Sequence, residues 1–202
     1  MKKLFALLPL ACFYLSGCGG AVVEVAADSN RPVIPVSQAR YEYLQHPTIS
    51  GLEYFNSVTG FESHMTTAAG RYVSYTGNNI VTFVLGDIIL FAMPGDLSQP
   101  YSSLYDASRY AISTLYSATA VENLMAFLMA IDDDGNYVNG IQIAYPVRVA
   151  ALGLKVNFNQ SAYNFRTDPS VQYATSILSG NTLYGTRTLP SPSEAILALQ
   201  TP

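Results

Sequence analysis

The chain has 202 residues, with 10 Lys and Arg against 14 Asp and Glu and a formal net charge of −4. A length of this order suits one globular domain with a buried core of its own. The acidic balance provides no cationic footprint for nucleic acid and little attraction for anionic lipid headgroups, so we expect no nucleic-acid partner.

The first segment has the pattern of a bacterial secretory signal. Lys2 and Lys3 are followed by an uncharged apolar run over residues 4–14 and then by small residues, which is the usual order in such signals. An apolar run this short argues against an uncleaved membrane-spanning anchor.

Residues 15–18 have the sequence Leu-Ser-Gly-Cys, which resembles the lipobox of bacterial lipoproteins. The resemblance implies that the Cys18 thiol takes a diacylglycerol, that residues 1–17 are removed as a signal peptide, and that the new amine is acylated, for example with palmitate. Buried acyl methylenes contribute about 0.8 kcal/mol each, so several chains would hold the protein on a membrane. The alternative is a plain secretory signal in which Cys18 is incidental.

Both cysteines of the chain would be used by this processing. Cys12 would leave with the signal and Cys18 would carry lipid, so no thiol would remain for a disulfide, for catalysis or for a metal site. The next residue, Gly19, is not the aspartate that retains enterobacterial lipoproteins at the inner membrane. The resemblance therefore implies localisation at the outer membrane.

Residues 18–48 are predicted to be a flexible, lipidated tether. Gly19 and Gly20 are followed by small and polar residues, with prolines at positions 32 and 35, a composition that favours extended chain. We expect a single folded domain over residues 49–202.

Four short runs rich in β-branched and aromatic residues predict strands. Gly77, Asn78 and Asn79 can form a turn between the second and third runs, and Gly86-Asp87 suits a type II′ hairpin turn between the third and fourth. The sequence therefore predicts a short antiparallel β-sheet. The four runs lie at residues 52–55, 71–75, 80–85 and 88–91.

After this sheet the spacing of apolar residues becomes helical. Ser103 has the features of a helix start, and a first helix is expected towards Tyr116. Thr119 and Glu122 match a capping box and predict the start of a second helix. Its apolar stripe predicts an amphipathic helix that packs on the sheet. The stripe consists of Val121, Leu124, Met125, Leu128 and Ile131.

Further strands are predicted at residues 141–143 and 154–158, while the segment 168–179 stays unassigned. Ser191 followed by Pro192 predicts the cap and first position of a C-terminal helix. Strands followed by helices predict an α+β fold.

Short motifs follow one another along the predicted domain. They are residues 51–54 (GLEY), 70–75 (GRYVSY), 77, 81–83 (VTF), 86–90 (GDIIL), 127–136 (FLMAIDDDGN) and 139–143 (NGIQI). The series resembles a module of γ-proteobacterial lipoproteins and large surface proteins. It is similar to segments of adhesin-like proteins and, more distantly, to accessory colonization factor lipoproteins. The resemblance implies a role at the cell envelope and transfers no catalytic residue, and Phe91 stands where such modules often have glycine.

Three consecutive aspartates, with Gly135 and Asn136 after them, follow the second predicted helix. Carboxylates there oppose the negative helix end and one another, a cost of roughly a kcal/mol. Calcium would offset that cost, with Asp132, Asp134 and Asn136 as candidate ligands. The EF-hand template fails because glycine comes too early and Ile143 stands at the last ligand position. The alternative is a solvated acidic turn.

Catalytic motifs are absent from the sequence, which has no Gly-x-Ser-x-Gly elbow, phosphate-binding loop or His-Glu-x-x-His pair. His46 and His64 are expected to be solvated or packed. A glycosidase would need two opposed carboxylates, for which residues 53, 62, 87, 96 and 106 are candidates. We therefore expect no catalytic residue.

Tyrosine is abundant and tryptophan is absent. Several tyrosines could form a sugar-stacking face, although packing within sheets and helix flanks is the preferred interpretation. The tyrosines considered are at positions 54, 72, 75, 101, 105, 110 and 116.

The sequence as a whole favours a non-enzymatic outer-membrane lipoprotein that acts as a surface binding or adhesion module. Its partners would be the membrane, through the lipid, and a protein or glycan, with calcium as the one candidate cofactor. The alternatives are a periplasm-facing accessory lipoprotein that assists assembly of a secretion or pilus system, and a small envelope hydrolase.

Overall fold

The computed structural model describes residues 38–60, 62–77, 79–95, 101–109, 115 and 117–200. The predicted signal peptide, Cys18 and most of the predicted tether lie outside these residues. All described residues belong to one compact unit. Within these ranges, no helix is long and apolar enough to cross a membrane.

Short strands form three sheets. The described strands are β1 (Ala39–Leu44), β2 (Ile49–Ser50), β3 (Glu53–Asn56), β4 (Ser63–Met65), β5 (Arg71–Tyr75), β6 (Ile80–Leu85), β7 (Ile88–Pro94), β8 (Tyr101–Ser102) and β9 (Ile141–Gln142). One sheet is antiparallel in the order β4-β3-β6-β7. A second has the order β5-β1-β8, with β1 antiparallel to β5 and parallel to β8, and β2 pairs in parallel with β9.

Helices follow most of the strands. They are α1 (Leu104–Ser108), α2 (Ala118–Ile131), α3 (Tyr145–Ala150), α4 (Ala162–Thr167), α5 (Pro169–Ser179) and α6 (Pro192–Gln200), with a 3-10 turn at Tyr137–Asn139. This order confirms the predicted α+β fold. The four predicted strands are also confirmed, as β3, β5, β6 and β7.

The tether prediction is wrong for residues 39–44, which form β1 and pair with β5. The inward-facing side chains of β1 include Glu42 and Leu44, which are 0% and 1% exposed. A carboxylate at an inward position removes the apolar alternation by which such a strand is recognised. Ser74 Oγ donates to Glu42 Oε1 at 3.4 Å, so β5 provides a polar partner for that carboxylate.

Gly77 has the positive φ expected of the predicted turn, at +91°. The prediction that the runs before and after it share one antiparallel sheet is wrong, because β5 and β6 belong to different sheets. Aromatic rings join the two sheets. The Tyr72 ring of β5 meets the Phe83 ring of β6 edge to face at 5.1 Å, and the Val73 amide donates to the Tyr54 hydroxyl at 2.9 Å. The chain therefore crosses between sheets after β5.

The hairpin at Gly86 is confirmed. Gly86 has φ +55°, and an added Cβ there would lie 2.7 Å from the Ala151 carbonyl carbon. A bulge interrupts the pairing of the two strands, since Val84 pairs with Ile89 and Phe83 with Phe91. The bulge leaves consecutive β7 side chains facing the core.

Helix α2 is central rather than amphipathic. All but three residues of α2 are buried, and the helix packs against α1, α4, α5 and α6. A helix that is apolar on all sides belongs in the interior of a domain. The predicted stripe is therefore only part of its buried surface.

The predicted capping box at Thr119 is wrong. The N-cap of α2 is Ser117, two residues earlier, and its Oγ accepts from the Ala120 amide at 3.1 Å. Two hydroxyl residues close in sequence offer the same capping chemistry, so the pattern did not distinguish them. The predicted caps of α1 at Ser103 and of α6 at Ser191 are confirmed by hydrogen bonds.

The predicted strand at 154–158 is wrong, because these residues are not assigned to a strand and none of the described strands pairs with them. Its end is instead fixed by the buried Asn123 of α2, whose Nδ2 donates to the Phe158 and Gln160 carbonyls at 2.9 Å each. The unassigned segment 168–179 forms α5, with Asp168 as its N-cap.

Candidate functional site

A cavity of about 380 Å³ opens beside α5 and is the candidate functional site. Its volume lies in the range of small-molecule sites. We call it the arginine cavity, because two of its lining residues are arginines and none is acidic. The lining residues are Arg166, Gln172, Thr175, Ser176, Thr186, Arg187, Thr188 and Leu189.

The start of α5 sets one side of the cavity. Pro169 takes the first helical position, and Asp168 Oδ1 accepts from the Ser170 amide at 2.8 Å. The helix buries Val171 and Leu178 in the core. Gln172 and Ser176 are therefore left on the solvent side of the helix.

The segment after α5 forms the other side. Ser179 has a central role in placing it, since its hydroxyl accepts from the Arg187 amide at 2.9 Å and donates to the Thr175 carbonyl at 2.7 Å. Thr182 Oγ1 donates to the Ser179 carbonyl at 2.7 Å. One helix end thereby fixes the backbone that carries Thr186, Arg187 and Thr188.

Arg166 lies at the end of α4 and is half-buried. Its Nη1 donates to the Leu189 carbonyl at 3.3 Å, and its Nη2 donates to the Pro190 carbonyl. Burial lowers the pKa of Arg166, while the carboxylate of Glu194 acts in the opposite direction. The Arg166 Nε is buried and has no hydrogen-bond partner among the described residues.

Arg187 has a similar environment. Its Nη1 donates to the Met129 carbonyl at 3.1 Å and its Nη2 to the Asp132 carbonyl, at the negative end of α2. The guanidinium lies 4.9 Å from the centroid of the Tyr184 ring. Burial lowers the Arg187 pKa, with Asp132 opposing, and its Nε also lacks a partner in the described part of the chain.

Neither arginine forms an ion pair with a carboxylate within 4.0 Å among the described residues. Each guanidinium is instead held by neutral carbonyls, and carboxylates act on it from a greater distance, Glu194 on Arg166 and Asp132 on Arg187. Thr175 adds a buried hydroxyl, 3% exposed, whose Oγ1 has no partner in the described ranges. The cavity therefore concentrates hydrogen-bond donors and positive charge.

The predicted calcium ligands lie next to this cavity, behind Arg187. Asp132 is fully buried, and its Oδ1 accepts from the Gln142 amide at 2.8 Å. Burial raises the pKa of Asp132 to about 6, and the Asp134 carboxylate adds to the effect. The Asp132 Oδ2 has no hydrogen-bond partner within the described ranges.

Asp134 is engaged in a turn. Its Oδ1 accepts from the Asn136 amide at 2.9 Å and its Oδ2 from Asn139 Nδ2 at 2.8 Å, and these bonds lower its pKa. These are the hydrogen bonds expected of an acidic turn. The described residues contain no group of three His, Cys, Asp or Glu side chains placed to hold a metal. A calcium site formed by Asp132, Asp134 and Asn136 stays a prediction, which calorimetric titration with calcium tests.

The histidines lie elsewhere. His64 is on β4 with its ring 5.5 Å from the Tyr54 ring, and the exposed His46 lines a separate cavity with Tyr137 and Asn139. Neither lines the arginine cavity.

Three of the candidate carboxylates form structural hydrogen bonds, and Glu62 is exposed. Glu53 accepts from the Ser63 hydroxyl, Asp87 accepts from the Gly153 amide at 2.8 Å, and Asp106 forms the capping box of α1. Asp96 lies outside the described residues.

The preferred interpretation of the tyrosines, packing within the fold, is confirmed for Tyr54 and Tyr72, which are 2% and 1% exposed and belong to the core. These two rings are therefore not part of a sugar-stacking face. Tyr75 and Tyr105 are half-buried. The side chains of Tyr101, Tyr110 and Tyr116 lie outside the described residues.

Sequence reasoning did not find Arg166, Thr175 or Arg187. No motif or fixed spacing links them. They line one cavity only because α4, α5 and the segment after α5 come together in the fold. A search among known proteins finds no family model, no curated protein and no solved structure that matches this chain. The resemblance to envelope lipoproteins therefore stays a prediction.

Proposed function

We propose that the chain is a non-enzymatic, lipid-anchored protein of the cell envelope whose folded domain binds a ligand in the arginine cavity. The observation that supports binding is that Arg166 and Arg187 line the same cavity. Two fixed cations and several hydroxyls surround a space with no acidic lining residue. Such an arrangement suits recognition of a polar or anionic group.

Binding is favoured over catalysis by the chemistry of the lining. General acid–base catalysis at pH 7 uses groups whose pKa lies near the working pH. The lining side chains are arginine, glutamine, serine, threonine and leucine. Except for leucine, these side chains form hydrogen bonds, and none of them normally exchanges protons near pH 7.

The envelope location rests on the Leu-Ser-Gly-Cys sequence at residues 15–18. We propose that lipid on Cys18 holds the domain at the outer membrane and that the domain faces the exterior. A domain that faces the periplasm would instead fit an accessory role in assembling a secretion or pilus system.

Metabolic labelling with an alkyne analogue of palmitate tests the anchor. We expect label on the wild-type protein and none on Cys18→Ser, whereas Cys12→Ser serves as the matched control and should still be labelled. Unlabelled wild-type protein that is free in the medium would contradict the anchor.

Protease shaving of intact cells tests the orientation, and crosslinking in whole cells tests the binding role. We expect added protease to remove the domain, and Arg166→Gln to weaken a crosslink that Arg71→Gln, an exposed arginine of β5, leaves unchanged. A domain protected from protease would support the periplasmic alternative. A crosslinking pattern identical in both variants would contradict the cavity as the binding site.

A further inference from the structure

We infer that the arginine cavity takes a sugar acid, with its carboxylate between Arg166 and Arg187. This inference rests on the proposed function and adds the class of ligand. It follows from three properties of the cavity, namely its charge, its hydroxyl groups and the acidic residues behind one of its arginines.

The charge of the lining selects an anion. A guanidinium has five N–H donors, and each of these two arginines donates to two backbone carbonyls. Two N–H groups on the Nη atoms of each arginine therefore remain for a ligand, while the Nε of each is buried. The planar fork of arginine matches the two oxygens of a carboxylate.

The acidic residues behind Arg187 favour a singly charged anion over a phosphate. Asp132, Asp133 and Asp134 all act on the charge of Arg187. Their negative field offsets part of the attraction that the arginines exert on an anion. That attraction grows in proportion to the charge of the anion, whereas the cost of taking the anion out of water grows with the square of its charge. A phosphate monoester has a charge of about −1.5 to −2 at pH 7, whereas a carboxylate has −1.

The rest of the lining suits a hydroxylated body. Gln172, Ser176, Thr186 and Thr188 are exposed, and their amide and hydroxyl groups can both donate and accept. Such groups pair with the hydroxyls of a sugar ring and have no equivalent use against an alkyl chain. A volume of about 380 Å³ is large enough for one sugar residue.

Calorimetric titration of the full chain in detergent tests this inference with glucuronate as the probe. Glucuronamide replaces the carboxylate by an amide, butyrate keeps the carboxylate without hydroxyls, and inorganic phosphate tests the other anion. We expect saturable binding of glucuronate that is at least about tenfold tighter than that of each of the other three probes.

Variants locate the binding. Arg166→Gln and Arg187→Gln should each weaken glucuronate binding by about tenfold or more, while Arg71→Gln should change it by less than about twofold. Arg187 also donates to backbone carbonyls at the end of α2. A melting curve must therefore show that Arg187→Gln is still folded. Thr188→Val, at an exposed hydroxyl of the lining, leaves these structural bonds intact and should weaken binding by about threefold.

The outcomes separate the two proposals. Glucuronamide that binds as tightly as glucuronate would overturn the role of the carboxylate, and butyrate that binds as tightly would overturn the role of the sugar hydroxyls. Phosphate that binds more tightly than glucuronate would overturn the choice of a carboxylate as the anion. In each of these cases, loss of binding in Arg166→Gln would still leave the cavity as a binding site. The absence of binding by every probe would overturn the sugar acid, while whole-cell crosslinking would still test the proposed function.

Discussion

The strand-rich part of the domain, residues 38–95, and its helical part, residues 117–200, treat buried polar groups differently. In the strand-rich part, the buried Asn56 accepts from the Val58 amide and the buried Thr66 accepts from the Leu52 amide, both at 2.9 Å. In the helical part, Arg166, Thr175 and Arg187 each keep a buried polar atom without a partner among the described residues.

A buried polar atom without a partner costs about 1–3 kcal/mol. The helical part tolerates this cost at Asp132 and at three residues that line one cavity, whereas the sheets bury aromatic rings and the hydrogen-bonded side chains of Asn56 and Thr66. The difference indicates that the sheets provide the stable frame and that the helical part provides the recognition site.

The largest expected effect comes from breaking the frame. Phe83 is fully buried, stacks on Phe91 at 4.6 Å and contacts Tyr72. Phe83→Ala should lower the free energy of unfolding by about 3–5 kcal/mol, because truncating a buried aromatic ring removes contacts and leaves a cavity. Urea denaturation measures the change.

The matched control is Leu183→Ala in the helical part, where the side chain is 88% exposed. That variant should stay within about 0.5 kcal/mol of wild type. A loss below about 1 kcal/mol for Phe83→Ala would mean that the aromatic rings between the sheets are not the frame.

An intermediate effect is expected from Asp132, whose pKa rises from 3.8 in the unfolded chain to about 6 in the folded one. Between these values the folded state binds more protons than the unfolded state, so the free energy of unfolding falls as pH rises from about 4 to about 6. The loss contributed by this group reaches up to about 3 kcal/mol and is complete above about pH 7.

Asp132→Asn keeps the oxygen that accepts from the Gln142 amide and removes the titration. The difference in unfolding free energy between wild type and Asp132→Asn should therefore shift in favour of the variant as pH rises from 4 to 7. Glu62→Gln is the control, because Glu62 is exposed and is not among the groups that act on the pKa of Asp132. A constant difference between wild type and Asp132→Asn at every pH would contradict the raised pKa.

The smallest effect distinguishes two caps of α2. Ser117→Ala should destabilise the protein by about 1 kcal/mol because the Ser117 Oγ accepts from the Ala120 amide. Thr119→Ala, at the position that the sequence pattern favoured, should cost less than about 0.5 kcal/mol. Thermal or urea denaturation of both variants measures the difference, and the reverse order would place the cap at Thr119.

Local signals explain most of what the sequence predicted correctly. Strands β3, β5, β6 and β7, the hairpin at Gly86 and the caps at Ser103 and Ser191 each depend on residues close together in the chain. Strand β1 was missed because its inward-facing Glu42 obscures the alternation and is accommodated by Ser74 of β5.

Long-range contacts account for the rest. The segment near Phe158 is held by Asn123, 35 residues earlier, and Arg187 by the Met129 carbonyl, 58 residues earlier. The arginine cavity depends on such contacts, so no local pattern could predict it. The predicted aspartates 132 and 134 lie next to the cavity, but the sequence did not link them to Arg187.

Nuclear magnetic resonance titration of the full chain with glucuronate tests most directly whether recognition belongs to the helical part. Our account predicts saturable shifts of the backbone amides at residues 172–176 and 186–189, with those of β3, β6 and β7 unchanged. Saturable shifts centred on the sheets, with none at Thr186, Arg187 or Thr188, would contradict it.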